Sequence, residues 1–357
     1  MNRRFLIKIR SWEYWPAAVV YAPAILYHCF LAIRARSFFY FSAANPSIEN
    51  GGLHGESKWK ILQLIPPKHL PKSVLVVEND DEQHLDAILE SNQFAFPLIA
   101  KPDLGARGWN VERLHTREAL FAYRKRMPVD FILQDFVDYP VELSVFYFRN
   151  PDEAKGKISS ITMKELLSIT GDGISTLQQL VEQKPRAFLQ TDVLREEWAA
   201  QWNAVIPKGE KIELVPYGNH CRGAMFINYN DYIDPQLEAV FDAISLPIEG
   251  FYYGRFDLRC NSMAELKMGQ NFKLLELNGV SAEPGHIYHP GYSFWQAQKD
   301  IFYHVRKIFT ISVANHQKNG VPYLKYKEMK SFLDRIEEYE RKVSEVSPKS
   351  VSPGTWD

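Results

Sequence analysis

From Lys58 onward, short apolar runs alternate with amphipathic stretches of helical spacing. Val74–Val77, Pro97–Ala100 and Phe131–Leu133 have the length of buried strands. Between two of them, Thr116 to Met127 reads as a helix, with Thr116 as N-cap and Glu118 in the first turn. Leu143–Phe148 and Ile158–Met163 read as strands, and Ser175–Gln183 as a helix with Ser175 as its cap. Pro235–Leu246 repeats apolar residues at Leu237, Val240, Phe241 and Ile244, one face of a helix. Gly254–Leu258 and Phe272–Leu277 are two further strands joined by a polar excursion around Gly269. A long helix from Phe294 to about Gln317 follows, then a charged helix from about Lys325 to Val343 that packs by one face, and a Ser/Pro tail of disordered composition. The pattern predicts a mixed α/β (α+β) class.

The start of the chain is different. Trp15 to Ile33 carries no charge, and Arg3, Arg4, Lys8 and Arg10 precede it while Arg34 and Arg36 follow. Its length reaches only the lower edge of a membrane span, and Pro16, Pro23 and His28 interrupt it. Three readings stay open: a helix packed on the main body, interfacial attachment to a membrane through 15–41, and a span. Trp12 to Trp15 ahead of it, and the lack of a small-residue cleavage site behind it, argue against a cleavable signal.

With 42 basic against 43 acidic side chains in 357 residues, no general nucleic-acid footprint is expected. Cys29, Cys221 and Cys260 follow no metal-ligand spacing and read as ordinary thiols of a cytoplasmic protein, membrane association being left open.

The chemistry concentrates in two strands. Alternation puts Arg255, Asp257 and Arg259 on one face of Gly254–Arg259, and Glu276 with Asn278 on one face of Leu274–Asn278. If the strands pair, two carboxylates and an amide converge, a set of hard oxygen donors that suits Mg²⁺. An unpaired Glu276 inside so apolar a run would cost several kcal/mol, roughly, which argues for a partner there.

This Gly-Arg-x-Asp strand followed by Glu-x-Asn resembles the ATP-grasp superfamily, and among its members the carboxylate–amine ligases of the D-alanine–D-alanine ligase branch. The resemblance implies an ATP-grasp fold: two mixed α/β subdomains clamping ATP, here with an apolar N-terminal helical extension. It implies residues 1–57 as that extension, 58–140 and 141–318 as the two subdomains, and 319–357 as a charged tail. It makes Asp257, Glu276 and Asn278 ligands of two Mg²⁺ (or Mn²⁺) ions, and Arg255 the stabiliser of developing charge. Pro97–Asp103 resembles the strand that ends in a phosphate-binding lysine, here Lys101. Gly105-Ala106-Arg107-Gly108 resembles the glycine-rich loop that closes over ATP, where glycines let backbone amides approach phosphate. Lys58 resembles an earlier ATP lysine, and Lys164 a further phosphate contact. Gln134, Asp135 and Val137 match the hinge strand that holds adenine, with Gln134 where Glu is common, and Glu142 matches the ribose acid.

Gly171–Val181, with Ile206–Glu210 and Asn219–Gly223, is similar to a segment of the cyanophycin synthetase ATP-grasp domain, where Arg222 would hold a substrate carboxylate. The loop from Asn278 to His286 implies Glu283 and His286 as substrate contacts. The resemblance runs from about Lys58 to Pro290; the region before it is short and apolar where family members carry an α/β substrate domain. The activity implied is ATP-driven activation of a small-molecule carboxylate as an acyl phosphate and its coupling to an amine. An ATP-grasp kinase and a non-catalytic nucleotide-binding or membrane-tethered module are the alternatives, and the substrates and oligomeric state stay open.

Overall fold

The computed structural model describes residues 3–105, 108–215, 218 and 223–346. The chain opens with α1 (Arg3–Arg10) and α2 (Ala17–Ala35), the latter ended by Arg36 in the left-handed conformation. By length and composition α2 could cross a membrane, but only 22% of its most apolar window is buried, so it is neither a core helix nor a free one. Val20, Ala24, Leu31 and Ala32 pack inward with Tyr21 and Tyr27 beside them, while Val19, Ile25, Leu26, Phe30 and Ile33 are exposed.

After α3 (Lys58–Leu62), the first sheet forms from β1 (Ser73–Val76), β2 (Leu98–Pro102), β3 (Glu112–Leu114) and β4 (Phe131–Asp135), with α4 (Glu82–Ser91) and α5 (Arg117–Arg126) inserted. Its order is β1-β4-β2-β3, and every neighbouring pair is antiparallel. Alternation divides its faces. Phe131 and Leu133 point with Leu98 and Ala100 into a core under α4 and α5, while Ile132 points to the other side. Thr116 caps α5 as its spacing predicts, its hydroxyl accepting from Ala119 N at 3.2 Å.

The second sheet has order β11-β10-β5-β6-β9, all antiparallel. Its strands are β5 (Val141–Phe148), β6 (Lys157–Glu165), β9 (Met225–Asn228), β10 (Tyr253–Cys260) and β11 (Phe272–Asn278); all but β9, whose strand the apolar pattern does not single out, lie near an expected run. Leu143, Val145, Phe256, Leu258 and Leu274 fill one face against Leu237, Phe241 and Ile244 of α9 (Pro235–Ser245). The polar excursion between β10 and β11 contains a short helix, α10 (Met263–Lys267).

Between β6 and β9 a small satellite forms around Leu177, Leu194 and Trp202, from the pair β7 (Ser168–Thr170) and β8 (Lys211–Glu213) with α6 (Leu177–Gln183), α7 (Pro185–Leu189) and α8 (Thr191–Glu197). Here one expectation is corrected. The cap of α6 is Thr176, which forms a reciprocal capping box with Gln179. Ser175 instead gives its hydroxyl to Asp172 at 2.7 Å, closing the Gly171–Gly173 turn.

The long helix α11 (Phe294–Asn319) packs along α2, and α12 (Tyr326–Val346) buries Met329, Phe332, Ile336 and Val343. The N-terminal region is stitched into this body. Buried Asn45 accepts from Tyr252 N (3.0 Å) and Tyr253 N (2.9 Å) and donates to Gly51 O (3.0 Å) and Tyr253 O (2.8 Å). All its hydrogen-bonding capacity is used, so its removal strands several backbone groups at once. Cys29 and Cys260 are free thiols, and Cys221 lies outside the described residues. We expect Asn45→Ala to lower unfolding free energy by on the order of 3 kcal/mol in denaturant titration; a loss under about 0.5 kcal/mol would show the N-terminal region to be merely draped on the fold.

Candidate functional site

The face of the second sheet opposite α9 is apolar at one end, where Phe146, Phe148 and Tyr253 join a second core, and polar at the other. Register places Arg255 opposite Asn278 and Asp257 opposite Glu276 across β10 and β11, and Ser144 of β5 on the other side of Asp257. Ser144 in turn faces Thr162 of β6. Side chains two residues apart share a face, so Glu142, Ser144, Arg255, Asp257, Arg259, Glu276 and Asn278 all project together.

Asp257 is buried at the centre. It accepts from Ser144 Oγ at 2.6 Å and from both sides of the Arg255 fork at 3.0 and 3.1 Å, and Lys164 Nζ stands 3.6 Å away. Burial pushes its carboxyl upward, but Arg255 and Lys164 outweigh that and hold it below the usual carboxylate range. Lys164 shows the converse. Burial alone would lower it, and Asp257 with Glu142 at 3.3 Å raises it. Asn278 Nδ2 is 3.5 Å from Asp257, too long for more than a weak contact. Glu276 is one-third exposed, less buried than its apolar run suggests, and its partner is Lys58 at 3.8 Å.

Lys101 reaches the same place from the first sheet. It lies on the face of β2 that carries Ile99, its Nζ donating to Gln134 Oε1 (3.2 Å) and to Leu275 O of β11 (3.0 Å). Burial is the largest influence on it and, despite Glu276, lowers it to about 8. Lys58 is brought alongside by a cap. Ser57 and Asp103 share the N-terminus of α3, Asp103 accepting from Ser57 Oγ (3.0 Å) and Trp59 N (2.8 Å). This ties α3 to the start of the glycine-rich loop, where Lys58 Nζ donates to Gly105 O. Gly105 has φ +125° and an added Cβ would lie 2.9 Å from the Trp109 ring, so only glycine fits; Gly108 also has positive φ. Tyr339 of α12 braces the loop, accepting from Leu104 N (3.4 Å) and donating to Asp130 O (3.1 Å). Arg107 lies outside the described residues, as does Arg222.

The hinge residues are arranged unevenly. Gln134 turns to Lys101 and to Ser73 Oγ (2.8 Å), whereas Asp135 and Val137 line a cavity of about 800 Å³ with Trp59, Leu70 and Lys273. Lys101, Lys164, Glu142 and Asp257 do not line that cavity. Glu142 and Val137 share one partner that spacing alone did not single out. Arg259 donates to Glu142 at 3.1 and 3.3 Å and to Val137 O at 3.2 Å. A nucleotide using both groups would have to move this guanidinium.

On the far side, Glu283 O accepts from Arg255 Nη1 at 3.1 Å and its carboxylate from Tyr288 OH at 2.9 Å. Tyr288 OH lies 3.1 Å from Tyr21 OH of α2, so the N-terminal helix reaches this loop. His286 is 3% exposed, with Nδ1 2.7 Å from Ser160 Oγ and Nε2 3.5 Å from Asp300, so its ring is fixed by the protein's own groups. Ser144, Tyr21 and Tyr339 carried no sequence signal, because each acts on a residue more than 90 positions away.

Asp257, Glu276 and Asn278 suit Mg²⁺ in donor type and in register. Among the described residues no group of three or more His, Cys, Asp or Glu is gathered for a metal, and the Arg255 fork takes the oxygens of Asp257.

No family model and no curated protein matches the chain. Among solved structures it is similar to the D-alanine–D-alanine ligase of Bacillus anthracis at 11% identity, covering 74% of this chain and 69% of that one with a TM-score of 0.41. The same ligase complexed with ATP is matched with a TM-score of 0.38, at 11% identity over 74% of this chain and 68% of that one. A bifunctional glutathione synthetase of Pasteurella multocida is matched at 14% identity over 66% of this chain, with a TM-score of 0.38; the chain spans 34% of that protein. Likeness at this level assigns no residue roles.

Asp257 and Glu276 should separate in stability. Removing Asp257 leaves Arg255 and Lys164 buried without their shared counter-charge, so Asp257→Ala should cost about 3–5 kcal/mol. Glu276→Ala, at a partly exposed site, should cost under about 1 kcal/mol. Urea denaturation of both variants measures this, and equal losses would contradict the network.

Proposed function

We propose that this chain is an ATP-grasp ligase of the carboxylate–amine type. The observation that carries the reading is the convergence of Lys58 and Lys101 from one sheet's side with Lys164 and Arg255 from the other, around Asp257, Glu276 and Asn278. Cations reaching one place from both sheets are what binding of a polyphosphate requires. Residues 58–140 and 141–318 form the two halves that hold ATP, with 1–57 as N-terminal extension and 319–357 as tail.

In the reaction a substrate carboxylate oxygen attacks the γ-phosphorus of ATP, the bond to the bridging oxygen breaks, and ADP leaves. An amine then attacks the acyl carbon, loses a proton, and expels phosphate. Lys101, Lys164 and Lys58 bind the phosphates, joined by the loop from Gly105 to Gly108 with Arg107. Asp135 and Val137 receive the base, Gln134 positions Lys101, and Glu142 takes the ribose once Arg259 moves aside. Asp257, Glu276 and Asn278 would hold two Mg²⁺ or Mn²⁺ ions, which would neutralise phosphate charge, once Arg255 shares the oxygens of Asp257. Arg255, held between Asp257 and the Glu283 carbonyl, faces the acyl group and stabilises charge building there. Glu283, with Arg222, orients the small-molecule substrates, and His286, set between Ser160 and Asp300, holds their loop in place.

Glu276→Ala is the cleaner test of this chemistry, because it spares the buried network. ADP release dependent on both a carboxylate and an amine should fall about a hundredfold or more in this variant with the fold intact. Full activity in it would remove the metal assignment. Lys101 adds a pH signature. Because its ammonium is lowered to about 8, nucleotide affinity should be level below that pH and weaken above it as the charge is lost. Titration calorimetry with Mg·ADP reads this, and Lys101→Met should bind weakly with no such step; a wild-type profile flat through that range would exclude Lys101 from the phosphates.

A further inference from the structure

The outward side of α2 is apolar and exposed. Val19, Ile25, Leu26, Phe30 and Ile33 recur at helical spacing along its whole length, and Leu26 and Ile33 are 72% and 78% exposed. A helix buried on one side and apolar on the other implies a second apolar phase along its length. Phe5 and Ile9 of α1 are exposed as well, and α1 buries none of its residues. Trp295 is 74% exposed beside Phe294, whose ring packs on Trp15, so a large aromatic side chain stands where α11 meets the start of α2.

Charge decides what covers this surface. From Arg3 to Arg36 the chain carries six Lys and Arg residues, and Glu13 is the one acid. That acid is drawn inward to Arg186, while Lys8, Arg10, Arg34 and Arg36 ring the apolar stripe at both ends and are exposed. A second copy seated two-fold on this face would set cations against cations. An anionic bilayer satisfies both requirements together, apolar side chains below the headgroups and cations among them. The helix cannot leave the body to span, because Val20, Ala24, Leu31 and Ala32 belong to cores shared with α11.

We propose that α1 and α2 dock this protein in the plane of an anionic membrane surface. The orientation has a consequence for the site. Tyr21, on the inward side of the same helix, links through Tyr288 to Glu283. Only the thickness of α2, about 10 Å, then separates the Glu283 loop from lipid. Docking requires neither nucleotide nor turnover, so it is tested independently of the ligase reading.

The experiment is co-sedimentation of the full chain with vesicles of phosphatidylethanolamine and phosphatidylglycerol, and with vesicles of phosphatidylcholine alone. The wild type should pellet with the anionic vesicles about tenfold more than with the neutral ones, and less in high salt. Leu26→Gln with Ile33→Gln, both at exposed positions, should keep the circular dichroism spectrum and lose about tenfold in partitioning. Wild-type protein that stays in the supernatant with both vesicles overturns the proposal, as does undiminished binding by the double variant. Equal binding to both vesicle types overturns the anionic requirement. A wild-type dimer that the double variant converts to monomer, without vesicle binding, would assign the surface to a second copy and also overturn it.

Discussion

One buried carboxylate organises the rest. Asp257 sits where β5, β6, β10 and β11 meet, and its charge is tolerable there only because Arg255, Lys164 and Ser144 surround it. Each of those groups lies on a different strand or two residues away on the same one. The alignment of β5, β6 and β10 is therefore tied to the charge balance, since a one-residue slip would send Asp257 into the apolar face beside Leu258 and Phe256. The network continues through Lys164 to Glu142 and Arg259, and through Arg255 to the Glu283 loop. Charge placed anywhere along it alters its neighbours.

The N-terminal region belongs to this arrangement rather than being appended to it. Val280 N and Ser281 N donate to Gly51 O and Gly52 O, each at 3.0 Å, so the loop leaving β11 is held by backbone from before residue 58. A Cβ on Gly279 would meet Gly51 O at 2.3 Å, an approach only glycine permits. Asn45 fastens the same region to β10, and Tyr21 reaches Glu283 through Tyr288. At the other end, α12 braces the glycine-rich loop through Tyr339. Both terminal segments thus press on loops at the edge of the cleft, coupling the cleft to surfaces far from it.

Much of this was open to reading in the chain. Alternation in Gly254–Arg259 and Leu274–Asn278 determined that Arg255, Asp257, Glu276 and Asn278 would share a face, because the side-chain period of a strand is two and needs no tertiary information. Apolar runs located the longer strands, though not β3, β7, β8 or β9, and Thr116 announced its helix, for the same local reasons. Tertiary structure alone decided who partners whom. It set the Arg255 fork on Asp257, turned Arg259 onto Glu142 and Val137, buried His286 between Ser160 and Asp300, and left Glu276 partly open to solvent. It also settled that α2 packs by one face and offers the other outward. Most of those outcomes depend on pairings between residues far apart in the chain, and all of them on the burial these produce together, which neither periodicity nor local propensity encodes.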